Sequence, residues 1–262
     1  MIRLAANLSM LFTDRPFLDR FAAAAAAGFD AVEFVSPYDE AAADVAEAAR
    51  RHGLAVALFN LPAGNWAAGE RGFAADPART DEFERGVEQA LAYARATGCT
   101  TLHAMAGKIP PEADRAAWTR ALVSNVRHAA DRAAAEKITL VLEPINTRVD
   151  VPGYFYDRSA SVIEVIEAVE RDNVKLLFDV YHLQIMEGDV ARSIERLLPQ
   201  IGHIQIAGNP GRHEPRDGEI NYGWLLPYID SLGYAGWIGC EYAPAAGTEA
   251  GLGWASSYLS PA

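Results

Sequence analysis

Cysteine is scarce in this chain: two residues, Cys99 and Cys240, among 262. Two cysteines cannot form a disulfide framework or supply the paired ligands of a structural zinc site. Both lie in apolar runs, where a small buried hydrophobe is expected. Basic residues are also outnumbered, with 23 Lys and Arg against 35 Asp and Glu, a formal charge of −12. A surface of that sign repels a phosphate backbone, so no nucleic-acid partner is expected. There is no apolar stretch of the roughly 18 residues that would span a membrane, and the run from Ile2 to Phe12 has no basic leader. A cytoplasmic protein with no membrane partner is therefore expected. The chain also has no proline-rich linker, and its first apolar run is followed by Ser9-Met10-Leu11, not by a glycine-rich phosphate loop.

What is present is a regular alternation of short apolar runs with longer helical patterns. Strands are expected near Leu4–Leu8, Ala31–Val35, Ala55–Asn60, Thr101–Ala106, Thr139–Pro144, Lys175–Val180, His203–Ala207 and Ile238–Tyr242. Helices are expected from Pro16 to the stop at Gly28, over Asp81–Ala96, Asp114–Glu136 and Val190–Leu198, and near Tyr222–Leu232 and Thr248–Tyr258. A further helix, capped by Ser159, is expected to end near Arg171. Eight strands alternating with helices predict an α/β fold, a single (β/α)8 TIM barrel over residues 1–262. An open doubly wound sheet is the rival, weakened by the missing glycine loop.

In such a barrel, chemistry sits at the C-terminal ends of the strands. The last four expected strands finish with an oxygen-bearing side chain between apolar neighbours: Glu143, Asp179, Gln205 and Glu241. Buried carboxylates must be paired or must coordinate a cation. One divalent metal ion answers that need, and a lysine or arginine inside the barrel is the alternative. Carboxylate and amide oxygens are hard donors, which favours Mg²⁺ or Mn²⁺. His203 shares the inward face one layer below Gln205 and is expected to be a satisfied core histidine.

Several motifs carry a family resemblance: Asn7-Leu8-Ser9-Met10-Leu11-Phe12, the run from Asn60 to Gly72, Glu143-Pro144-Ile145-Asn146 and Phe178-Asp179-Val180-Tyr181-His182. His203-Ile204-Gln205, Gly218-Glu219-Ile220-Asn221-Tyr222 and Gly239-Cys240-Glu241-Tyr242 complete the set. With these, the chain resembles the xylose isomerase-like barrel superfamily, and within it the hydroxypyruvate isomerase group.

The resemblance implies metal ligation by Glu143, Asp179 and Glu241, with Gln205 where the superfamily commonly has a histidine. It implies interconversion of hydroxypyruvate and 2-hydroxy-3-oxopropanoate (tartronate semialdehyde) through an enediolate, with Glu143 and Glu241 as the acid–base pair. A small 2-oxo or hydroxy acid needs a cation for its carboxylate. Lys108 is the first candidate, with Arg71 and Arg212 behind it, and His182 stands where the superfamily often places a substrate contact. Trp66 and Tyr242 are candidates to cover the site.

Alternative readings are a four-carbon 2-oxotetronate isomerase, a ketose 3-epimerase, a zinc phosphodiesterase or AP endonuclease, and a non-catalytic sugar-acid binder. A homo-oligomer is compatible with this surface, but no heptad or apolar stripe marks an interface.

Overall fold

A computed structural model describes residues 1–260. Eight parallel strands close into a barrel in chain order: β1 (Leu4–Asn7), β2 (Ala31–Phe34), β3 (Ala55–Asn60), β4 (Thr101–His103), β5 (Thr139–Leu142), β6 (Val174–Asp179), β7 (Ile201–Ile206) and β8 (Ile238–Cys240). Closure is made by β1 pairing with β8, where Ala5 stands beside Gly239. The expected (β/α)8 architecture is therefore the observed one. Expected strands five and eight run two residues past the observed ends and strand four three, so Glu143 and Glu241 begin the loops after β5 and β8.

Around the barrel run α1 (Asp19–Ala26), α2 (Ala42–Arg51), α3 (Thr80–Thr97), α4 (Arg115–Ala134), α5 (Ser159–Val169), α6 (Val180–Met186), α7 (Val190–Leu197) and α8 (Tyr222–Ser231). A short α9 (Thr248–Gly251) follows β8. Two helices, α2 and α6, have no counterpart in the sequence expectations. α6 starts directly at the end of β6, and Asp179 is its N-cap: one carboxylate oxygen accepts from the backbone N–H of Tyr181 (2.7 Å) and of His182 (3.2 Å).

Ser159 is not a cap. It is the first residue of α5, and its N–H and hydroxyl both donate to the Glu187 carboxylate, which satisfies that helix start from a neighbouring loop. The expected helix Thr248–Tyr258 is likewise only α9 followed by a 3-10 turn, Leu252–Ala255.

The largest core lies between sheet and helices, where outward side chains such as Phe34 and Phe59 meet Phe17 and Phe21 from the α1 segment. Inside the barrel, a small apolar layer of Leu58, Val141 and Leu177 forms a floor. Strand alternation places the next inward residue of each strand above it. Around the ring these are Asn7, Glu33, Asn60, His103, Glu143, Asp179, Gln205 and Glu241, all of them polar. Among the described residues no helix is long and apolar enough to cross a membrane.

Candidate active site

The polar ring opens into a cavity of about 830 Å³ at the C-terminal face of the barrel, lined by Asn7, Asn60, His103, Glu143, His182, Gln205, Arg212 and Glu241 among others. Three of the four strand-end groups expected from sequence line it, Glu143, Gln205 and Glu241, with His182 and Arg212; Asp179 stands beside them, its Oδ2 3.7 Å from His182 Nε2 and 3.6 Å from the Arg212 guanidinium. The first four strands contribute Asn7, Glu33, Asn60 and His103, which the sequence reading did not single out as site residues. The signal was the same one used for strands five to eight, a polar residue closing an apolar run.

Three of the expected ligand atoms are buried without a hydrogen-bond partner: Glu143 Oε1, Asp179 Oδ2 and Gln205 Oε1. Two of these side chains have a reason to leave that atom free. Asp179 spends its other oxygen on the α6 cap. Gln205 donates its amide nitrogen to Glu33 (2.8 Å), which turns its carbonyl oxygen away from Glu33. Buried acceptors without donors are costly, on the order of 1–3 kcal/mol each, unless a cation or substrate meets them. Carboxylate oxygens of Glu143 and Asp179 lie within 4.8 Å of each other, close enough to share one ion. The donor set fits a hard divalent cation.

Electrostatics point the same way. Burial raises the Glu143 carboxyl well above the usual range, and the neighbouring Glu241 and Asp179 push it further. Burial also raises Asp179, and it brings Glu241 to about 8 against the pull of Arg212. Carboxyls crowded this way lack positive charge.

Arg212 supplies part of it, as the arginine alternative anticipated. Its guanidinium bonds the Glu241 carboxylate and stands 3.6 Å from Asp179 Oδ2 and 3.5 Å from Asp150. Its Nε still has no partner. The residue holds a left-handed backbone (φ 53°), an uncommon conformation for a branched, non-glycine side chain, and its carbonyl accepts from Ala243 N–H (2.8 Å). A loop held in this way aims the side chain into the ring.

The tautomer of His182 follows from Asn146. The Asn146 side-chain oxygen accepts from the backbone N–H of Val149 (2.9 Å) and Asp150 (3.0 Å), so its NH₂ group faces Asp150 and His182. His182 Nδ1, 2.7 Å from that NH₂, is the acceptor, and Nε2 carries the proton. Nε2 lies 3.6 Å from Glu143 and 3.7 Å from Asp179. Burial and Arg212 hold the ring well below its ordinary pKa, so it is neutral. A neutral imidazole presenting N–H is a donor to substrate oxygens, not a metal ligand. His103 is also neutral, pushed down to about 3 by burial and by His203 and His182.

Arg71 lines the cavity rim, stacked on Trp66 with its guanidinium 3.8 Å from the ring centroid. Lys108 does not join them: it is exposed and stands outside the cavity lining. Tyr242 points away from the site, fully buried against Trp254, while Trp66 remains 44% exposed at the mouth. His203 is satisfied as expected, bonded to Glu33 at 2.6 Å. Cys99 and Cys240 are buried and free.

Comparison with known proteins gives the chain's relatives. A 2-oxo-tetronate isomerase of Cupriavidus necator is 53% identical, over 99% of both chains. The hydroxypyruvate isomerase of Escherichia coli is 44% identical, over 98% of this chain and all of that one. A crystal structure of an AP endonuclease, family 2, from Brucella melitensis superposes with a TM-score of 0.96 at 48% identity, covering 99% of this chain and 100% of that one. Sugar 3-epimerase structures at 17–23% identity share the fold alone. The family described as xylose isomerase-like TIM barrel matches residues 21–258, and the chain belongs to that family.

Proposed function

We propose that this protein moves a carbonyl between adjacent carbons of a short 2-oxo acid, using one Mg²⁺ or Mn²⁺ held by Glu143, Asp179, Gln205 and Glu241. That it is an isomerase follows from its full-length relatives at 42–53% identity, which are named as isomerases. The metal reading rests chiefly on the three buried, unpartnered oxygens of Glu143, Asp179 and Gln205. When bound, the ion supplies Lewis acidity to the two substrate oxygens that exchange carbonyl and hydroxyl character.

The chain's own residues divide the remaining work. One of Glu143 and Glu241 removes the proton from the hydroxyl-bearing carbon, the other returns a proton to the former carbonyl carbon, and the hydroxyl proton passes from the first substrate oxygen to the second. An enediolate stands between the two steps, and no external oxidant is needed. Positioned acid–base groups of this kind each contribute roughly 10² to 10⁴ in rate. The Nε2–H of His182 donates to a substrate oxygen as negative charge develops there. Arg212, with Arg71 at the rim, holds the carboxylate, a task suited to a guanidinium fork.

Two substrate lengths suit this chemistry. Hydroxypyruvate, giving 2-hydroxy-3-oxopropanoate, is the one suggested by the sequence motifs. The relative at 53% identity is named for the four-carbon 2-oxo-tetronate, and we place that acid first, with hydroxypyruvate second. The test is a panel of 2-oxo-tetronate, hydroxypyruvate and ketohexoses with Mg²⁺ or Mn²⁺, followed by NMR in deuterated water. Turnover of a short oxo acid with deuterium entering at the exchanging carbon is expected. Activity on ketohexoses alone, or cleavage of abasic DNA without isomerisation, would sink the reading.

A further inference from the structure

Glu33 is the carboxylate of the polar ring that the reaction leaves unused. It is 0% exposed, and its carboxylate reaches across the barrel interior from β2 to β7. Three side chains meet it: Asn7 Nδ2 (2.9 Å), Gln205 Nε2 (2.8 Å) and His203 Nε2 (2.6 Å). Space for it is made by Gly239, where a Cβ would stand 2.3 Å from Glu33 Oε2. A carboxylate in a hole kept open by glycine, and met by three donors, is a built feature of the barrel.

We infer that Glu33 is a positioning residue for metal binding, acting through the side-chain amide of Gln205. An amide has two nearly isosteric ends, and only the oxygen is a ligand. With Glu33 as acceptor, a flipped Gln205 would set its oxygen against a carboxylate, so the amide is locked with nitrogen toward Glu33. Its Oε1 is then left buried without a partner, as Glu143 Oε1 and Asp179 Oδ2 are. His203 holds the second Glu33 oxygen in place, and Asn7 extends the same network to Glu241 Oε1 (3.3 Å). Partners that orient a ligand in this manner commonly change metal affinity by about 10- to 100-fold when removed.

The inference rests on the proposed metal site, and a double-mutant cycle separates the two. Mn²⁺ dissociation constants are measured by electron paramagnetic resonance for the wild type, Glu33→Gln, Gln205→Ala and the double variant, with folding followed by circular dichroism. Glu33→Gln is expected to weaken Mn²⁺ binding by about 10-fold or more. In the Gln205→Ala background the same change is expected to add less than about 3-fold, because the residue it acts through is gone.

Unchanged affinity in Glu33→Gln, or fully additive losses, overturns the role of Glu33 while leaving the metal site standing. No Mn²⁺ binding by the wild type overturns both. Should Glu33→Gln fail to fold, His203→Asn removes one of the donors that hold the carboxylate. It is expected to weaken Mn²⁺ binding by about 3-fold or more, and unchanged affinity there counts against the role equally.

Discussion

Arg212 and Glu241 are joined by a charge-assisted hydrogen bond at the mouth of the barrel, although they come from different loops, after β7 and after β8. The guanidinium lies among carboxylates that a metal ion would also neutralise, so cation and arginine share one field. An ion bound there would relieve part of Arg212's attraction to Glu241 and free its fork for an acid substrate.

Arg212→Met is accordingly expected to raise KM for the acid by about 10- to 100-fold, the loss of one or two charge-assisted hydrogen bonds, with a smaller change in kcat. Arg71→Met is expected to raise KM less. Lys108→Met is expected to leave KM within about 2-fold, since the side chain is outside the cavity. A sharp rise in KM for Lys108→Met, with none for Arg212→Met, would return the carboxylate to the loop after β4.

Glu143→Gln and Glu241→Gln each remove a carboxyl to which we assign proton transfer, while keeping its shape. Each is expected to lower kcat by about 10³-fold or more, and to slow exchange of the substrate carbon-bound proton with solvent. Both metal-free variants are expected to fold, and Glu143→Gln to melt at or above the wild type, because it loses a buried carboxyl that lacks neutralising charge. Near-normal turnover by either variant rules out its assigned part.

The raised carboxyls have a consequence for pH. Glu241 keeps its proton up to about 8 in the folded protein, against 4.5 for an unperturbed carboxyl, and Glu143 is shifted in the same direction. Between those values the folded chain binds more protons than the unfolded one, so stability falls as pH rises. The metal-free protein is expected to melt on the order of 5 °C lower near pH 8 than near pH 5, as roughly 1–2 kcal/mol would produce in a chain of this size. Metal binding requires the deprotonated groups, so the rise in melting temperature on adding Mn²⁺ is expected to be larger near pH 8. Scanning calorimetry with and without Mn²⁺ at the two pH values checks both signs; a metal-induced rise greater near pH 5 would contradict them.

Much of the barrel is legible in the chain because its signals are local. Apolar strand runs, glycine stops such as Gly28 and Gly98, and the absent phosphate loop all act within a few residues. The same locality exposed Glu143, Asp179, Gln205 and Glu241, since a polar residue closing a buried strand stands out against its neighbours. Glu33 carried that signal too, within Ala31-Val32-Glu33-Phe34, but its partners lie 26 to 172 residues away. Ser159 looked like a cap because serine commonly is one; the Glu187 carboxylate that takes its N–H belongs to a different loop.

The sequence by itself determined the period of the strands and helices, and with it the circle of strand ends, because backbone geometry turns a two-residue alternation into an inward and an outward face. Closure of the barrel decided the rest. It brought β2 to face β7 across the interior, so that Glu33 holds the Gln205 amide, and it carried Arg212 rather than Lys108 to the carboxylates. Hydrogen bonds and charge act over a few ångströms of space, and the separation of these partners along the chain does not reveal which of them will meet.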